Sequence, residues 1–170
     1  MIRRGTPDDY VALGRLQTAS WQTAYRGMLP DDYLENGLAA DLDRRWSRLR
    51  ESPADVLLVA ESAGQIVGFI YVLGQTPPYV DNLHVDPLRK RQGIGEQLMR
   101  AAARELMSSG RNSMWLTVIT TNLPALRFYE GLGAERGPTK SEMLFGNPVE
   151  SYPMIWSDLT ALADEPRHRG

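Results

Sequence analysis

Leu83-His84-Val85-Asp86-Pro87-Leu88-Arg89-Lys90-Arg91-Gln92-Gly93-Ile94-Gly95-Glu96 changes character twice within fourteen residues. It begins as the end of a β-rich run, Tyr79 to Val85, and breaks at Asp86-Pro87. After Gly93-Ile94-Gly95 it settles into a helical stripe of Ile94, Leu98, Ala101 and Glu105/Leu106 reaching about Ser109. A strand feeding a glycine loop that opens a helix makes an anion site, because the first helical N–H groups lack partners and the macrodipole favours negative charge. Gly93 and Gly95 allow close backbone approach, and Arg89, Lys90 and Arg91 add positive charge at the rim. A phosphate-bearing ligand is the natural inference. The loop is neither GxxxxGK[ST] nor GxGxxG, since Leu98 stands where the third glycine would be. Taken alone, it could equally be an ordinary tight strand–helix turn.

Working outward, Ile2-Arg3-Arg4 reads as a short first strand, and Thr6-Pro7-Asp8-Asp9 as a helix start carrying Tyr10, Leu13 and Leu16. Trp21 and Tyr25, four apart, share a helix face until Gly27 and Pro30 break it. Asp31 to Leu34 opens a short helix, and Leu42, Trp46 and Leu49 mark a third amphipathic stretch. The period then changes to strands at Val56–Glu61, Gln65–Leu73 and Tyr79–Val85. Downstream of the glycine loop come a strand at Ser113–Ile119, a helix at Pro124–Tyr129, and two closing strands near Glu142–Phe145 and Tyr152–Trp156. The order predicts an α/β fold: a mixed, mostly antiparallel sheet of about 6–7 strands flanked by helices, with one right-handed strand–loop–helix–strand unit at its centre.

The chain has 170 residues, 42 % hydrophobic and 24 % charged, which bounds it to one ordinary globular domain over 1–170. From about residue 158 the tail reads as peripheral, with His168 solvated near its end. Nineteen basic against twenty-one acidic residues give a net charge of −2, which argues against a nucleic-acid partner. No cysteine is present, so thiolate zinc sites and Cys acyl intermediates are excluded, and no metal is expected. The longest apolar run, Ile66 to Leu73, is far short of the ~20 residues that span a bilayer, and the N-terminus does not read as a signal peptide. A cytoplasmic protein without membrane contact is expected.

The second informative segment is Asn122-Leu123-Pro124-Ala125-Leu126-Arg127-Phe128-Tyr129-Glu130-Gly131-Leu132-Gly133-Ala134. With the first, it resembles the GNAT superfamily of acetyl-CoA-dependent N-acetyltransferases. That pattern is V-x-P followed by [Q/R]-x-x-G-x-[G/A] opening a helix, then N-x-x-A-x-x-[FL]-Y-E-x-x-G-[FA]. The resemblance runs from about Ile2 to Trp156. Lys90 replaces the usual Gln or Arg, keeping charge while losing the planar fork, and Ala134 replaces the commoner Phe.

The resemblance implies acetyl-CoA as acyl donor, held between the strands Tyr79–Val85 and Ser113–Ile119. The pantetheine arm would pair with the backbone of Leu83 and Val85. The pyrophosphate would sit on the amides of Arg91, Gln92, Gly93, Ile94, Gly95 and Glu96 beside Lys90. Asn122 would touch the arm, Leu83 N–H would polarise the thioester carbonyl, and Tyr129 would protonate the leaving thiolate. The acceptor is an amine, whose lost proton needs a base or a desolvating pocket. Strict alternation puts Tyr79, Asp81, Leu83 and Val85 on one strand face and Val80, Asn82 and His84 on the other. Asp81 is the candidate base and His84 the alternative; each also has a structural reading, as a bonded acid or a packed core histidine. Trp21, Tyr25 and Arg26, with Asp81, are candidate acceptor contacts, alongside a plain packing reading. Trp46 and Trp115 read as core. The competing function is an acyl-CoA-binding sensor without turnover, and a homodimer paired through the closing strands is compatible with the family.

Overall fold

The computed structural model describes residues 1–164; His168 lies outside them. Eight strands form one sheet in the order β1-β2-β3-β4-β5-β8-β6, with β7 also paired to β8. They are β1 (Ile2–Arg4), β2 (Val56–Ser62), β3 (Gln65–Leu73), β4 (Tyr79–Val85), β5 (Met114–Ile119), β6 (Glu135–Arg136), β7 (Lys140–Leu144) and β8 (Asn147–Trp156). All pairs are antiparallel except β4 with β5. The eighth strand is β6, two residues long and too short to leave a periodic trace in the sequence. The helices are α1 (Tyr10–Ala24), α2 (Leu38–Ser47), α3 (Ile94–Ser108), α4 (Leu123–Gly131) and α5 (Thr160–Ala163). The short helix expected at Asp31–Leu34 is a π-helical turn at Tyr33–Gly37 that runs straight into α2.

The sheet is covered on both faces, which explains why β2 and β3 are buried nearly end to end. Leu98, Met99, Ala102 and Leu106 of α3 pack with Leu58, Ile70 and Val80 on one face. Leu13 and Trp21 of α1 and Leu42 and Trp46 of α2 pack with Leu57, Phe69 and Tyr71 on the other. The tail read as peripheral from about 158 is corrected in part: Leu159 and Leu162 are buried in the α3-side core. Arg100 and Arg104 of α3 clamp that segment by donating to the carbonyls of Leu162 and Ala163 at 2.9 and 3.1 Å.

Two features of β4 position everything that follows. Its parallel pairing with β5 is confined to Tyr79 opposite Trp115, after which the strands diverge. Its pairing with β3 slips by one residue, from Val72 opposite Val80 to Tyr71 opposite Asn82, leaving Asp81 as the extra residue of a β-bulge. The bulge overturns strict alternation. Val80 joins the α3-side core, whereas Asp81, Asn82 and His84 are bonded to α1 and α2 residues on the opposite side.

Candidate active site

The bulge also re-aims the β4 backbone. Before it, Pro78 C=O accepts from Trp115 N–H at 3.0 Å, so that edge faces β5. After it, Asp86 N–H donates to Val67 C=O of β3 at 2.8 Å. Successive backbone groups along a strand point to alternate sides, so the groups of Leu83 and Val85 face away from β3, into the gap that β5 has vacated. Without the extra residue they would be spent on the β3 ladder.

At the wide end of the gap lies the N-terminus of α3. Gly93 sits at φ +76°, a left-handed conformation that glycine adopts without strain, and Arg91 beside it is at φ 65°. The first intrahelical bond at this end runs from Gln97 N–H to Gly93 C=O, 3.0 Å. The N–H groups of Gly93, Ile94, Gly95 and Glu96 therefore meet no acceptor among the described residues. Gly95 is needed for closeness, because a Cβ there would stand 3.3 Å from the Phe128 ring. Lys90 and Arg91 form no ion pair among the described residues, and Arg89 reaches only Ser62 Oγ, at 3.5 Å. These residues, Gln92 apart, line a cleft of about 510 Å³ that includes Leu83, Val85, Asn122 and Tyr129. Asn122 also caps α4, its Oδ1 accepting from Ala125 N–H at 3.4 Å.

The narrow end of the gap opens into a second chamber of about 140 Å³. Trp21, Tyr25, Leu83, His84, Thr117 and Tyr129 border both spaces. The Tyr129 ring is wedged edge-on between Phe128 and Trp156, at 5.1 and 6.0 Å, and its hydroxyl has no partner among the described residues. Burial, reinforced by Tyr25 and Tyr79 nearby, raises its pKa well above the ordinary tyrosine value, so it keeps its proton. Burial likewise pushes Tyr25 to about 12.

Residues 18–134 match the model of the Acetyltransferase (GNAT) family. The chain belongs to the GNAT acetyltransferase family. The GNAT chain is 26 % identical over 167 residues to the uncharacterized N-acetyltransferase YuaI of Bacillus subtilis, covering 95 % of each. In fold it resembles the PaiA N-acetyltransferase of Thermoplasma acidophilum, solved with coenzyme A (TM-score 0.68, 21 % identity, covering 91 % of this chain and 96 % of that one). It also resembles YncA of Salmonella typhimurium, solved with acetyl-CoA (TM-score 0.67, 18 % identity, 98 % and 95 % coverage).

Within this GNAT domain the expected acceptor contacts separate. Trp21 and Tyr25 wall the chamber, their rings meeting edge-on at 4.9 Å. Arg26 is not brought to it, pairing instead with Glu35 (3.0 Å) and Asp31 (3.4 Å) at the surface. Asp81 lines the chamber with one carboxylate oxygen engaged by Arg45 of α2 and, at 3.1 Å, by Asn82 Nδ2. His84 is packed: its Nε2 stands 3.4 Å from Trp21 Nε1 and 3.3 Å from Asn82 Oδ1, and its Nδ1 stands 3.1 Å from Ser20 Oγ. Burial, with Lys90 and Arg45 adding repulsion, drops its pKa to about 3. It is neutral at physiological pH and fully bonded, as a core histidine would be.

Three features escaped the sequence. A buried relay runs from Trp46 Nε1 to Gln17 Oε1 and from Gln17 Nε2 to Asn82 Oδ1, both 2.8 Å, tying α2, α1 and β4 together behind the chamber. Tyr79, named only as strand, reaches Thr117 Oγ1 at 3.3 Å. Glu142 of β7 reaches into the same chamber. An acid in the middle of a closing strand was the one available signal for Glu142, and it is weak, because strands carry solvated acids routinely. Trp46 is core as expected, whereas Trp115 is half-buried, stacked between Tyr79 and Lys140.

Proposed function

We propose that this protein uses acetyl-CoA to acetylate a primary amine of a small molecule or peptide, by direct attack in a ternary complex. The observation that carries the reading is the gap between β4 and β5. Unpaired backbone of Leu83 and Val85 faces it, free N–H groups stand at its wide end, and a protonated Tyr129 hydroxyl stands at its waist. The pantetheine arm extends the sheet edge at Leu83 and Val85. The pyrophosphate takes the loop amides from Arg91 to Glu96, with Lys90 and Arg91 supplying charge.

The amine nitrogen attacks the thioester carbon from the chamber. The carbonyl oxygen becomes an oxyanion that Leu83 N–H stabilises. As the C–N bond forms, the C–S bond breaks, the departing thiolate takes the Tyr129 proton, and the second proton shed by the attacking nitrogen restores the Tyr129 hydroxyl. The products are the N-acetyl amine and the free thiol of CoA. An alkylammonium must first lose a proton, at a cost of about 4–5 kcal/mol near neutrality. Asp81 takes that proton, its second carboxylate oxygen remaining open to the chamber.

The test is thiol release from acetyl-CoA against a panel of amines, with Tyr129→Phe beside the wild type. No protein thiol contributes background. Amine-dependent release that collapses in the variant is the expected result. Acetyl-CoA raising the melting temperature with no release for any amine would replace this reading with that of an acyl-CoA sensor.

A further inference from the structure

Glu142 of β7 lines the chamber together with Asp81, and the proposed reaction makes no use of it. Its Oε1 accepts from Ser151 Oγ at 3.0 Å and from Thr117 Oγ1 at 3.3 Å. Those two hydroxyls orient the carboxylate and leave Oε2 with only a distant neighbour, Lys140 Nζ at 3.9 Å, which itself lies over the Trp115 ring. The charge of Asp81 is answered by Arg45. Glu142 is thus the chamber carboxylate whose charge no guanidinium answers among the described residues. Around it stand the rings of Trp21, Tyr25 and Tyr79, whose faces favour a cation. The chamber's volume, about 140 Å³, equals that of four or five liquid waters at ~30 Å³ each. It admits an ammonium group with its first few carbons, beside the donor cleft with which it shares Leu83 and Tyr129.

We infer that Glu142 selects a charged acceptor, its Oε2 holding the ammonium of a primary alkylamine before that amine turns toward Leu83 and Tyr129. The inference rests on the amine-acetylation reading and names its substrate class. A purely structural Glu142 would serve only to accept the Ser151 and Thr117 hydroxyls, and glutamine does that equally well. Glu142→Gln therefore separates the two roles.

The probe is n-butylamine, a cation near neutral pH. Glu142→Gln is expected to raise KM for n-butylamine by ~10-fold or more while leaving KM for acetyl-CoA unchanged, since losing a charged hydrogen bond is worth about a decade or more in affinity. An unmoved KM in Glu142→Gln overturns the inference. A second measurement works without turnover: n-butylammonium titrated into the CoA-loaded protein, read by the fluorescence of the tryptophans, of which Trp21 walls the chamber. Saturable quenching lost in Glu142→Gln upholds the inference even where no acetyl moves, in which case it is the transferase reading that fails. Quenching that is absent, or indifferent to Glu142, overturns it even in an active enzyme.

Discussion

The two ends of the gap between β4 and β5 are made of different material. At the wide end, the groups facing it are backbone: the amides of Gly93 to Glu96 and the free edge of Leu83 and Val85. At the narrow end they are side chains brought from α1, α2, β4, β5 and β7, held by the Trp46–Gln17–Asn82 relay and the Arg45–Asp81 pair. Backbone groups survive most substitutions, because any residue that keeps the local conformation supplies them. A side-chain wall fails when one member changes. The wide end should therefore be tolerant and the narrow end brittle, with Tyr129 among the residues at their junction.

The largest expected effect lies at that shared point. Tyr129→Phe should lower kcat by roughly 10²-fold or more, the usual range for a lost general acid, with acetyl-CoA affinity unchanged by calorimetry. Equal rates would remove Tyr129 from the chemistry.

Next comes acid stability, a property of the narrow end. His84 titrates at about 3 in the folded chain against 6.5 unfolded, so the unfolded chain takes up the proton first. Its stabilising contribution is full above pH 6.5 and declines as pH falls toward 3. By about pH 4 the loss reaches up to about 3 kcal/mol, at roughly 1.4 kcal/mol per pH unit. Urea midpoints measured across this range should fall for the wild type and stay flatter for His84→Gln. Asp9, whose pKa Arg3 holds below 3.8, adds its own loss only at lower pH.

Gln17→Leu strands the Trp46 indole N–H and leaves the Asn82 side-chain carbonyl with only His84 Nε2, 3.3 Å away, among the described residues. It should cost about 2 kcal/mol in urea unfolding, the ordinary penalty for buried groups left without partners, and should impair amine use more than acetyl-CoA binding.

The smallest effect belongs to the wide end's rim. Lys90→Ala removes one exposed charge and should raise KM for acetyl-CoA only about 3-fold, less at high salt, since exposed charges contribute up to about 1 kcal/mol. A Lys90→Ala loss larger than that of Tyr129→Phe would break the contrast, showing that rim charge rather than backbone holds the donor.

The same contrast explains what could be read before the fold was known. The loop from Arg89 to Glu96 is contiguous, and a left-handed glycine followed by a helix start is a local property of the chain. That Gly93, Gly95, Asn122 and Tyr129 come to one cleft was accordingly legible in two short segments, as were β3 and β4 to the residue. Alternation failed at Asp81, because a bulge depends on how β3 and β4 register against each other and leaves no mark on the hydrophobic pattern. Arg26 was drawn in by its place beside Trp21 and Tyr25, but it sits past the end of α1, where Glu35 and Asp31 claim it.

Residues near one another in the chain carry the family's two motifs, the order of strands and helices, and the N–H groups at the start of α3, so reading along the chain reached them. Which side chains meet at the smaller chamber was settled by tertiary contact. Gln17, Arg45, Asp81, Thr117, Glu142 and Ser151 come from separate elements and become neighbours only when helices and strands close on one another. The one-residue slip in β4 then settles which of its groups look into the gap.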